Sequence, residues 1–86
     1  MILINFKIQD GEYEYTDWDY DTNLSKADYD KGKVKDFDIL QNMYGVEEDD
    51  FDADDSNSYW IRDRLVSVYS VQDIDQDTLD ILRRYA

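Results

Sequence analysis

Seven carboxylates crowd the eleven residues from Glu47 to Asn57, EEDDFDADDSN, with one phenylalanine and no base among them. Carboxylates at this density can do three kinds of chemistry. They can trade protons as an acid–base pair, coordinate a hard cation through oxygen, or present negative charge to a basic partner. Acid–base catalysis needs a cleft that desolvates one carboxyl and drives two pKa values apart. A chain of 86 residues has little volume in which to enclose one. His and Cys are both absent, which removes the commonest general base and any thiolate nucleophile. There is no glycine-rich phosphate loop and no nucleophile motif. The sequence therefore predicts a non-catalytic protein with no cofactor.

Calcium is the alternative that uses oxygen as ligand. Asp17, Asp19 and Asp21 stand at positions 1, 3 and 5 of an EF-hand-like loop. Position 6 is then Thr22, where the loop needs Gly for its sharp turn. Position 12 is Asp28, shorter than the bidentate Glu usual there. A loop started at Asp50 fares worse, because its twelfth residue is Ile61. The pattern is partial, and an alternating strand accounts for Asp17-Trp18-Asp19-Tyr20 without a metal. A calcium-binding module built on Asp17, Asp19, Asp21 and Asp28 is kept as the alternative reading.

Recognition is the third possibility, and composition favours it. The net charge is −13, and the acids are 18 Asp against 4 Glu. A charge magnitude of roughly 2 to 8 suffices to keep a small domain soluble, so the excess calls for another explanation. Nucleic acid and anionic membrane would both be repelled. The partner expected is a basic protein, of the kind that handles nucleic acid through clustered Lys and Arg. In this reading Glu47, Glu48, Asp49, Asp50, Asp52, Asp54 and Asp55 pair with those bases. Phe51, Tyr59 and Trp60 supply aromatic anchors, the residue types that most often carry affinity. Phe51 has a second possible role, pinning the acidic segment to the edge of the core.

In size, acidity and α+β plan the whole chain resembles the small inhibitors that phages and mobile elements direct against host defences, among them anti-CRISPR proteins and DNA mimics. Immunity proteins against nuclease toxins have a similar character. The resemblance implies a nucleic-acid-handling enzyme or effector complex as target, blocked where DNA or RNA would sit. It implies the host-cell cytoplasm as location, in keeping with the lack of Cys and of any membrane-length apolar run. An acidic structural subunit of a larger assembly is a further alternative.

The elements that must position these residues are legible from periodicity and caps. ILINFKIQ alternates strictly, with Ile2, Ile4, Phe6 and Ile8 on one face, and Asp10-Gly11 is a strong hairpin turn signal. The second strand, EYEYTDWDY, then pairs Ile8 with Tyr13 and Phe6 with Tyr15. A β-bulge at Thr16-Asp17 is needed to bring Trp18 and Tyr20 onto the same core face. Ser25 is placed to cap a short helical turn through Tyr29, with Gly32 interrupting it. VKDFDILQNMYG reads as a helix with Val34, Phe37, Leu40 and Tyr44 in one stripe and Gly45 as its stop. A strand follows over 64–72. Asp75 caps a last helix over 76–85, whose buried stripe is Leu79, Leu82 and Tyr85. The prediction is a single α+β domain of order β-β-α-β-α, with a three-stranded antiparallel sheet and two helices packed on one face.

Overall fold

The computed structural model describes residues 1–52 and 57–85. Nine alternating residues form the first strand, β1 (Ile2–Asp10), and its even-numbered apolar side chains Ile2, Ile4, Phe6 and Ile8 are all buried. A two-residue turn at Gly11-Glu12 leads into β2 (Tyr13–Asp21). Gly11 takes φ 61, a left-handed value that glycine adopts without steric cost. Two short helices follow. In α1 (Lys26–Asp30) the Ser25 side chain accepts the Asp28 amide hydrogen, as its position predicts. In α2 (Asp36–Tyr44) the Asp38 carboxylate accepts the Lys35 amide hydrogen at the N-terminus, and Gly45 at φ 70 ends the helix. A single 3-10 turn (Glu48–Asp50) precedes β3 (Ser58–Ile61), and a two-residue turn joins β3 to β4 (Arg64–Asp73). The last helix is α3 (Gln76–Arg84), capped by Asp75, whose carboxylate accepts the Thr78 amide hydrogen at 2.7 Å. Hydrogen bonding from Thr78 holds that carboxyl below its ordinary pKa.

The fold is α+β, with four antiparallel strands in the order β2-β1-β4-β3 and three helices. This corrects the expected three strands and two helices. The strand missed is β3: Tyr59, Trp60 and Ile61 pair with Val66, Leu65 and Arg64. Four residues are too few to declare a period. The turn behind it, Arg62-Asp63, contains no glycine, although Arg62 takes φ 57.

Register decides what each face carries. The β1–β2 ladder runs unbroken from Ile2 opposite Asp21 to Asp10 opposite Tyr13. The bulge expected at Thr16-Asp17 is absent: the turn sits at Gly11-Glu12 rather than Asp10-Gly11, the pairing slides by two, and the unbroken ladder keeps its parity. Directly opposed residues share a face, so Asp17, Asp19 and Asp21 lie on the side of Phe6, Ile4 and Ile2. Trp18 and Tyr20 stand on the other side with Asn5 and Leu3. The irregularity falls instead between β1 and β4, where Asn5 pairs with Ser70 but Phe6 with Val68, leaving Tyr69 as the extra residue. Tyr13, Tyr15, Trp18 and Tyr20 are consequently not the core row that the expected bulge would have made of them.

The helices divide between the two faces, which corrects the expectation of one covered face. Ile39 and Leu40 of α2 join Ile2, Ile4, Phe6, Ile8, Val66 and Val71 in the main core, with Phe37, Tyr59 and Tyr29 packed around it. Phe6 meets Tyr44 edge to face at 5.3 Å between ring centroids. On the other side, Leu79 of α3 is 1% exposed yet lies outside that cluster. Arg83 sets its guanidinium 5.5 Å over the Tyr20 ring, which places α3 across the Leu3–Tyr20 side. Tyr85, expected in the buried stripe of α3, is 87% exposed, since the helix ends at Arg84 and Tyr85 has left its spiral.

Two outcomes follow from this packing. Leu79→Ala should cost about 2–5 kcal/mol in urea unfolding, whereas Tyr85→Ala should stay within about 0.5 kcal/mol; equal losses would restore the uniform stripe. The Tyr29 hydroxyl donates to Asp36 Oδ1 at 2.6 Å. Burial, that hydrogen bond and the nearby carboxylate push its phenol up to about 12. The neutral phenol is favoured in the fold, so its contribution to stability is complete below the unfolded value of 10 and is lost as pH rises through 12. Ultraviolet titration should show a late tyrosine ionisation that disappears in Tyr29→Phe and moves to lower pH in Asp36→Asn.

Candidate functional site

The acidic segment begins on a rigid frame. Gly45 turns the chain out of α2, Val46 is buried, and the 3-10 turn follows. Asp50 reaches back so that its carboxylate accepts the Glu47 amide hydrogen at 2.8 Å. That bond ties one carboxylate to the backbone and leaves Glu47, Glu48 and Asp49 exposed, with no base paired to them among the described residues. Phe51 bridges to Tyr59 through the backbone, and their rings meet at 5.5 Å. Asp52 is half-buried and its amide donates to the Ser58 carbonyl. Asp54 and Asp55 lie outside the described residues.

The three aromatic candidates are separated by the sheet. Tyr59 is half-buried between Phe37 and Phe51, its ring 5.4 Å from the first and 5.5 Å from the second. Burial, ahead of the charges of Asp36, Glu48 and Asp38, raises its phenol pKa. Trp60 pairs with Leu65 and points to the opposite face, 44% exposed. Phe51 is 42% exposed while resting on Tyr59. It therefore pins the segment to the core edge and still offers a ring edge to solvent.

A second anionic surface, which the sequence offered only as a metal loop, runs along β2. Asp17, Asp19 and Asp21 share one face of an edge strand and repeat at about 6.8 Å, twice the strand rise. Each spends one carboxylate oxygen on a nearby amide: Asp17 accepts from Trp18 and Asp19 from Tyr20, both at 2.8 Å, and Asp21 from Asn23 at 2.7 Å. An extended strand holds the three apart, and Asp28 sits separately on α1. Among the described residues no three acidic side chains converge closely enough to hold a metal ion.

Comparison with protein-family models, with curated proteins and with solved structures finds no match. What the surface can do therefore rests on its own geometry.

The row on β2 has a structural consequence. The two-residue turn makes Asp10 and Tyr13 a hydrogen-bonded pair, so the alternate residues Glu14, Thr16, Trp18 and Tyr20 direct their amides to the free edge of the sheet. Asp17 and Asp19 cover two of those four amides. Such blunting protects an edge strand from pairing with another chain. The row also passes close to α2: burial, followed by the charges of Asp17 and Asp19, holds the Tyr44 phenol above its ordinary pKa.

One further grouping has no counterpart in the sequence reading. Tyr13, Tyr15, Tyr44, Arg62 and Arg64 come together at the end of the sheet where both hairpins turn. No local pattern could have announced it, because two strands, a helix and a turn contribute. Arg64 donates to the Tyr15 hydroxyl at 3.4 Å and stands 3.7 Å from Asp10.

The covered edge amides give a direct test. In amide hydrogen exchange by NMR, the Tyr20 amide should exchange more slowly than those of Glu14 and Thr16. In Asp19→Ala it should speed up about fivefold, the equivalent of roughly 1 kcal/mol for one net hydrogen bond. An unchanged rate would mean that the carboxylate does not protect the edge.

Proposed function

We propose that the protein is a non-catalytic acidic interaction protein that blocks the basic nucleic-acid-binding surface of a partner protein, in the manner of a DNA mimic or an anti-CRISPR inhibitor. The observation that carries the proposal is the display of carboxylates without ion-pair partners on ordered elements. Glu47, Glu48 and Asp49 stand out from the 3-10 turn, and Asp17, Asp19 and Asp21 are spaced regularly along β2. Among the described residues the ion pairs found lie elsewhere, at Lys7–Glu14, Lys26–Asp30 and Arg64–Asp10, and all are solvent-exposed.

Charge on a rigid frame differs from charge on a random coil. The partner's Lys and Arg meet carboxylates already held in place, so less conformational entropy is lost on binding. The short Asp side chain, dominant at 18 of the 22 acids, keeps each charge near the backbone with few rotatable bonds. Attraction over distance accelerates the encounter, and Phe51 and Trp60 are the exposed aromatics available to anchor it. Asp50, Asp52, Asp54 and Asp55 complete the anionic segment, and Tyr59 supports Phe51 from beneath. The partner implied is a nucleic-acid-handling enzyme or effector complex in the same cytoplasm.

Charge removal without change of shape tests the reading. Glu47→Gln, Glu48→Gln and Asp49→Asn combined should slow association with the partner, with the defect shrinking as salt rises and the Debye length falls from about 10 Å at 0.1 M to about 3 Å at 1 M. Association rates measured by surface plasmon resonance at several salt concentrations provide the readout. Rates that do not depend on these charges would remove the acidic segment from the function.

A further inference from the structure

The hairpin-turn end of the core face departs in composition from the rest of the surface. Beyond the last turn of α2, Ile8 and Val66 floor an open groove of about 400 Å³. Tyr44, Arg62, Arg64 and Asp17 also line it. Tyr13, beside it at the tip of β2, is 77% exposed. Tyr and Arg are enriched at the centres of protein interfaces, while Asp and Glu are depleted there. Here tyrosines and arginines gather on a chain whose net charge is −13.

Both arginines are underused. Arg62 makes no ion pair among the described residues, although it occupies a turn position at φ 57. Arg64 has a 3.7 Å contact with Asp10 and a 3.4 Å hydrogen bond to a tyrosine. Guanidinium groups reach their strongest interactions in close bidentate contact with carboxylates, and neither has one among the described residues.

We infer that this groove is the contact surface for a second copy of the same chain. Charge complementarity selects that occupant. The patch carries Arg62 and Arg64 together with Asp17 in the groove and Asp10 beside Arg64, so it is complementary to itself. A two-fold contact requires this property, since the same patch from each copy must meet. Arg62 and Asp17 both line the groove, so a two-fold contact can set the guanidinium of one copy against the carboxylate of the other, with the exposed tyrosines beside the apolar floor. Approach along the outer part of the β2 row, or over the 3-10 turn, would instead set carboxylates against carboxylates. This inference rests on the tyrosine–arginine end rather than on the 3-10 turn; it shares Asp17 with the proposed function, and Tyr13→Ala, which removes no carboxylate, tells the two apart.

Sedimentation velocity on the full chain over a range of concentrations tests it, with thermal melts to verify folding of each variant. The wild type should move reversibly from the 10.3 kDa monomer toward a dimer. Tyr13→Ala, at an exposed position, should weaken the dimer by at least about tenfold. Asp17→Lys discriminates most sharply. It removes negative charge and would therefore strengthen any association limited by overall repulsion, whereas the two-fold contact predicts at least about tenfold weakening because Lys then faces Arg62. A wild type that stays monomeric to about 1 mM, a dimer indifferent to Tyr13→Ala, or a dimer strengthened by Asp17→Lys would each overturn the inference.

Discussion

The row Ile2, Ile4, Phe6 and Ile8 lies between two flanking strands and beneath α2, and it must hold together a chain whose surface charge pushes outward. Each of these side chains contributes about 1.5–3 kcal/mol by leaving water, and all four are at most 4% exposed. Because β1 is hydrogen-bonded on both edges, its register fixes the face of every other strand residue. The acidic row of β2, the split of the helices between two faces and the tyrosine–arginine end all follow from that pairing. A one-residue slip would turn Asp17, Asp19 and Asp21 to the other face of the sheet and bring Trp18 and Tyr20 in their place.

The separation of charge from core is nearly complete. Of the side chains in the buried set, Ser58 is the one polar member among the described residues, and no buried side-chain polar atom there lacks a partner. The carboxylates lie on turns, caps and the free strand edge, where short Asp side chains can engage nearby amides: Asp38 and Asp50 at helical N-termini, Asp75 at α3, Asp17 and Asp19 on β2. The excess of Asp over Glu is therefore partly structural. One set of residues ends helices, covers the sheet edge and supplies the negative surface.

Much of this plan can be read from local signals. The alternation of β1, the Gly45 stop, the Ser25 and Asp75 caps and the strand from Arg64 each depend on a few neighbouring residues, and each is found in its place. What escaped depends on distant partners. Asp10-Gly11 and Gly11-Glu12 are both plausible turns, and the choice moves the ladder by two. The bulge at Tyr69 belongs to the β1–β4 pairing, sixty residues apart in sequence. β3 is too short to reveal its period, and the side on which α3 lands is shown by Arg83 and Tyr20 meeting in space. The same division applies to the surface. Its acidity and the Glu47–Asp52 segment are legible from sequence, whereas the β2 row and the Arg62–Tyr13 end appear only once the strands are paired.

In the proposed function the negative surface stands where a nucleic acid would stand on the partner. The most direct measurement captures the partner from host lysate on the immobilised protein at physiological salt and challenges the complex with double-stranded DNA and, separately, with RNA. The captured protein should handle nucleic acid, and one of these polyanions should release it in a concentration-dependent way. A partner held equally well at saturating concentrations of both would contradict it.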